Sequence, residues 1–68
     1  MRSEVIAVGG MQCGGCERSV VTAVLALPGV AEARADFVAE EVEVVYEPDA
    51  VDVVAIRAAV RAAGFTAA

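Results

Sequence analysis

A strand–helix–strand pattern runs twice through only 68 residues, which leaves few ways to bury both helices. Glu4 to Val8 reads as a short apolar strand that breaks at Gly9-Gly10. From Cys16 the period becomes helical, with Val20, Val24 and Leu27 at i, i+4 and i+7 and Ala23 on the same face. Leu27-Pro28-Gly29 stops that helix, because neither Pro nor Gly sustains it. Ala33, Ala35 and Phe37 then alternate with Glu32, Arg34 and Asp36, and Val42, Val44 and Tyr46 alternate with Glu41, Glu43 and Glu47. Both runs predict half-buried strands, joined as a hairpin across Val38-Ala39-Glu40.

The second helix follows Pro48, with Asp49 or Asp52 as its cap and Val53, Ile56, Val60 and Ala63 as its buried stripe. Gly64 supplies the stop, and Phe65 to Ala68 suffices for a short edge strand. The predicted fold is α+β: a ferredoxin-like βαββαβ sandwich with two helices on one face of a four-stranded antiparallel sheet. Residues 1–68 are expected to form one domain, burying roughly 60% of the unfolded surface. That plan serves many unrelated functions, so the function must be read from the site.

Composition narrows the classes. A net charge of −5, with the five arginines Arg2, Arg18, Arg34, Arg57 and Arg61 dispersed along the chain, argues against nucleic acid, which requires clustered cations. The chain is too short to carry a separate substrate domain, which argues against an elaborate enzyme. The apolar run from Val20 to Val30 is interrupted by Thr22, Pro28 and Gly29 and is too short to insert in a bilayer. Met1-Arg2-Ser3-Glu4 does not start as a signal peptide does. The expectation is a soluble cytoplasmic protein with reduced thiols.

Histidine is absent, so soft-metal or redox chemistry has to pass through Cys13 and Cys16. These sit in Gly10-Met11-Gln12-Cys13-Gly14-Gly15-Cys16, just after the first strand. The permissive Gly-Gly spacer lets the sulfurs converge if that loop is flexible. Cys16 at the first helical turn meets unpaired N–H groups that favour a thiolate. Soft thiolates select soft ions, and two of them fall short of zinc's usual four ligands. Glu17, the nearest carboxylate, is expected to point along its own helix. Two-coordinate Cu(I) therefore fits this donor set best, while thiol–disulfide exchange remains the reading from another class.

The run Met11-x-Cys13-x-x-Cys16 resembles the heavy-metal-associated domain of copper chaperones and of the N-terminal modules of soft-metal P-type ATPases. Leu27-Pro28-Gly29-Val30 is similar to that family's helix-to-strand turn, and Ala63-Gly64-Phe65 to its late Gly-aromatic step. The resemblance implies a carrier, not an enzyme. Cys13 and Cys16 would be its metal ligands and Met11 a packing anchor beneath the loop. Cu(I) would pass by cysteine ligand exchange to the metal-binding domain of a copper-transporting P-type ATPase or to a copper-responsive regulator. Phe65 stands where bacterial copper chaperones usually have Tyr and eukaryotic ones Lys; it can shield the site but brings neither hydroxyl nor charge. Gln12 stands where zinc and cadmium relatives often have Asp, which tilts the reading toward copper over those two; mercury carriers share the dithiolate, but the free periplasmic ones begin with a signal peptide, which Met1-Arg2-Ser3-Glu4 does not resemble. An isolated ATPase module would show the same chemistry. The chain is expected to be a monomer that a shared metal ion can bridge into a dimer.

Overall fold

Alternation along the strands decides which sheet face the helices cover. In a computed structural model that describes residues 1–67, the order is β1 (Arg2–Gly9), α1 (Gly14–Leu25), β2 (Val30–Asp36), β3 (Glu41–Tyr46), α2 (Val53–Ala62) and β4 (Thr66–Ala67). The sheet runs β2-β3-β1-β4, with every pairing antiparallel. The register sets Ile6 opposite Val42 and Glu4 opposite Val44. Because side chains alternate along a strand, Ile6, Val8, Val42, Val44 and Tyr46 turn to one face. They are buried there with Val20 and Val24 of α1 and Ile56 and Val60 of α2. Each such side chain removed from water contributes about 1.5–3 kcal/mol. The two-layer plan expected from the sequence is the one adopted.

Several boundaries shift for local physical reasons. β2 ends at Asp36, and Phe37 lies outside it, 38% exposed. The Asp36 carboxylate accepts the Val38 and Ala39 N–H groups at 2.9 and 3.2 Å, which bends the chain into the turn one residue early. Within β2 the register slips between Val30 and Glu32, leaving Ala31 as the extra residue. Ala63 is the C-cap of α2 and is exposed, so it does not continue the buried stripe. Helix α1 ends at Leu25, and Leu27 packs against the core from the following turn. At that turn Gly29 has φ +98°, and a Cβ there would stand 2.7 Å from the Ala50 Cβ, so both backbone and space require glycine. Ala68 of the expected final strand lies outside the described residues.

The sheet also fixes where the cysteine loop sits. β1 delivers the chain to Gly10, while β2 ends and β3 begins at that same end of the sheet. The Val8 N–H donates to the Glu40 carbonyl at 2.9 Å, extending the ladder to the base of the loop.

Candidate metal site

The loop between β1 and α1 has a buried root and an exposed crown. Gly10 has φ +100°, which allows β1 to stop abruptly, and a Cβ there would lie 3.5 Å from the Phe65 ring. Met11 next turns inward, 7% exposed, and joins the core cluster. Phe65, half-buried after α2, packs against that same cluster. Gln12, Cys13, Gly14 and Gly15 are exposed, and Cys16 is half-buried.

Helix α1 starts earlier than its apolar period suggests. Cys13 is its N-cap, in extended backbone, and the Cys16 and Glu17 N–H groups donate to the Cys13 carbonyl at 3.1 and 3.2 Å. Gly14 and Gly15 therefore form the first helical turn and are not the flexible spacer expected. A Cβ at Gly15 would make an ordinary 3.7 Å contact with the Cys13 sulfur, and one at Gly14 would lie 4.0 Å from Glu17. Neither glycine is required by crowding. What they provide is an uncovered approach to the sulfurs.

The two Sγ atoms are 3.9 Å apart. A disulfide needs about 2.05 Å, so this is a pair of separate thiols. Two sulfurs each about 2.3 Å from one ion stand between about 3.8 Å (tetrahedral) and 4.6 Å (linear) apart, and the observed separation lies at the short end of that span. The Cys13 sulfur makes no capping hydrogen bond of its own. The Cys16 amide, then the Gly15 amide and the Cys16 side chain, nevertheless hold the Cys13 thiol below its ordinary value of 9.0, while the Glu17 charge opposes them. Among the described residues no group of three His, Cys, Asp or Glu side chains converges to hold an ion. The donor set this site can offer is two sulfurs.

Glu17 does not point along its own helix. Its Oε2 accepts the Phe37 N–H of the β2–β3 turn at 2.8 Å, across a sequence separation of 20. Sequence reasoning had no signal for this contact, because nothing in the spacing announces a carboxylate meeting a turn so far along the chain. The Asp36 turn was legible in principle, since Asp ahead of a turn commonly accepts the N–H groups that follow it.

Comparison with known proteins agrees with this geometry. Residues 5–66 match the heavy-metal-associated domain. The chain belongs to that family. This heavy-metal-associated domain is 37% identical over 67 residues to a probable copper-transporting ATPase, PacS, of Synechococcus elongatus, spanning 98% of this chain and 9% of that protein. It is 38% identical over 63 residues to the probable copper-transporting ATPase HMA5 of Arabidopsis thaliana, spanning 93% of this chain and 6% of that one. The chain thus spans less than a tenth of the length of these curated relatives. Among solved structures it superposes on a copper binding domain from the P-type ATPase HMA7 with a TM-score of 0.97 and 32% identity, covering all of this chain and 92% of that one. The CopZ metallochaperone superposes with a TM-score of 0.95 and 28% identity, covering 98% of this chain and all of that one. The family's sandwich is the fold described above.

Proposed function

We propose that Cys13 and Cys16 bind one Cu(I) ion and hand it by ligand exchange to a second dithiolate. The receiver in this reading is the metal-binding domain of a copper-transporting P-type ATPase or a copper-responsive regulator, and the setting is the cytoplasm. The observation that carries the reading is the pair of free thiols 3.9 Å apart at the exposed tip of a heavy-metal-associated domain. Copper is the cargo, and the domain is a carrier, not an enzyme.

The chemistry follows from how the pair is exposed. Two thiolates satisfy Cu(I) without a third protein ligand, and an ion held by only two sulfurs can accept a third from a partner. The three-sulfur state has one bond forming before another breaks, so the ion is never released to water. Gly14 and Gly15 leave that approach open, and the amides that lower the Cys13 thiol pKa favour its thiolate, the form that binds the ion. Phe65 and Met11 pack apolar surface beneath the root of the loop.

The similarity to two copper-transporting ATPases supports a second reading of the same chemistry, in which this domain is the metal-binding module of such a transporter. Among the described residues no helix is long and apolar enough to cross a membrane. A transfer experiment tests the handover in either setting. Cu(I)-loaded protein mixed with an apo heavy-metal-associated domain of a copper ATPase, then separated by ion exchange, should redistribute copper between the two within the mixing time. Copper that stays on the donor over hours, at equal affinity of the two domains, would contradict the carrier reading.

A further inference from the structure

The loop that carries the cysteines enters from β1 and leaves into α1, and both of those elements are fastened to one and the same turn. On the entry side, the Val8 N–H donates to the Glu40 carbonyl at 2.9 Å. On the exit side, the Glu17 carboxylate accepts the Phe37 N–H at 2.8 Å. The turn between those two points is itself closed, because Asp36 accepts the Val38 and Ala39 N–H groups and Glu40 adopts φ +56°. Residues 36–40 thus form a base-plate, and the cysteine loop is a handle bolted to it at each end.

The two bolts differ in kind. The Val8 contact continues the β1–β3 ladder and is supported by the pairing of Ala7 with Glu41 beside it. The Glu17 contact has no such neighbours and rests on one side chain. Glu17 follows Cys16 directly, so its tether fixes the first turn of α1, where the Cys16 and Glu17 amides meet the Cys13 carbonyl. Cys13 gives no side-chain cap and the turn holds two glycines, so apart from the Ser19 hydroxyl on the Gly15 carbonyl at 3.1 Å and the packing of Cys16 on the core, the Glu17 tether is what holds it in register.

We infer that Glu17 is a positioning residue for the dithiolate: it is not a ligand, but by accepting the Phe37 amide it holds Cys16 at its distance from Cys13. The tether fixes the turn that carries the second sulfur, and losing it lets that turn fray and the sulfurs separate. This inference rests on the metal-site reading above for its consequence, but the tether itself is a property of the apo protein.

The test separates the hydrogen bond from the charge. Glu17→Gln keeps an acceptor oxygen and removes the charge, whereas Glu17→Ala removes both. Amide hydrogen exchange on the reduced apo protein is read first. Glu17→Ala should speed exchange of the Phe37 and Cys16 amides about tenfold or more, and Glu17→Gln should stay within about threefold of the parent, with thermal midpoints as the control for global loss of fold. Cu(I) release to excess chelator should then be about fivefold faster in Glu17→Ala and close to parental in Glu17→Gln. Equal behaviour of the two variants would overturn the inference, because charge and not the tether would be responsible. Faster amide exchange with unchanged Cu(I) release would overturn it too, because the tether would then not position the ligands. A parent protein that fails to bind Cu(I) through its cysteines would refute the metal reading instead, and the amide exchange would still decide whether the tether exists.

Discussion

The two helices begin in the same way and to opposite ends. Each follows a strand or turn, and each has its N-cap residue in extended backbone, Cys13 for α1 and Asp52 for α2. Asp52 turns its carboxylate inward and accepts the Ala55 N–H at 2.9 Å, which satisfies one of the donors a helix start leaves unpaired. Cys13 makes no such bond, and its sulfur stands exposed beside the sulfur of Cys16. The next two positions widen the contrast. Gly14 and Gly15 are poor helix formers, while Val53 and Val54 at least bring side chains. One helix start is closed by its own cap, and the other leaves its cap sulfur exposed, with Glu17 of its first turn tied to the β2–β3 turn instead.

The comparison breaks first if the core beneath is disturbed. Ile56 is fully buried between α2 and the sheet, so Ile56→Ala should cost about 2–5 kcal/mol in urea denaturation, more than any change at either cap. A cost under about 1 kcal/mol would mean that the helix is held by its ends and not by its stripe. At the caps, Asp52→Ala should cost about 1 kcal/mol, and Cys13→Asp should gain a comparable amount while losing metal binding. If both substitutions are neutral, the contrast between the two starts has no energetic content. Gly14→Ala should gain about 0.5–1 kcal/mol in the same assay and slow copper transfer to a partner, because it adds a side chain to a helical turn and to the open approach at once.

The smallest effect concerns pH. Cys13 ionises more readily in the folded chain than an ordinary thiol at 9.0. A group whose folded pKa is depressed adds stability that is present above its unfolded pKa and is lost as pH falls through the folded value. The reduced apo protein should therefore gain slightly in urea midpoint as pH rises through that window, and Cys13→Ser should flatten the rise. Since the thiol is exposed, the gain is expected to be slight, and a fall with rising pH would reverse the assigned direction.

What the sequence made legible tracks how local its causes are. The buried stripes Val20/Val24 and Ile56/Val60 and the alternation of Val42, Val44 and Tyr46 follow from one period each, and the sheet adopted them. Asp52 was one of two capping candidates, and the competition between them was settled by which side chain reached an amide three residues on. The apolar period puts the start of α1 too late because Gly14 and Gly15 carry no periodic signal, and it is the carbonyl of Cys13 receiving two amides that reveals the turn they form. The alternation alone extends β2 to Phe37, but Asp36 accepts the amides that follow and turns the chain first. The Glu17 tether was invisible because its partner is remote in sequence. Cys13 and Cys16 are the only thiols in the sequence, and the fold brings them together at the exposed end of the sheet while Met11 of the same loop turns into the core.

The central claim is that these two sulfurs form a Cu(I) site. The most direct measurement is an anaerobic titration of the reduced protein with Cu(I) against a chromophoric chelator, beside a Cys13→Ser, Cys16→Ser variant. Serine at position 13 is a good N-cap, whereas Cys16 is half-buried against the core, so a thermal midpoint of the variant close to the parent's is the check that lost binding does not reflect lost fold. The account predicts one tightly held ion per chain in the parent and affinity lower by orders of magnitude in the variant. Equal competition by parent and variant, or none by either, would contradict it.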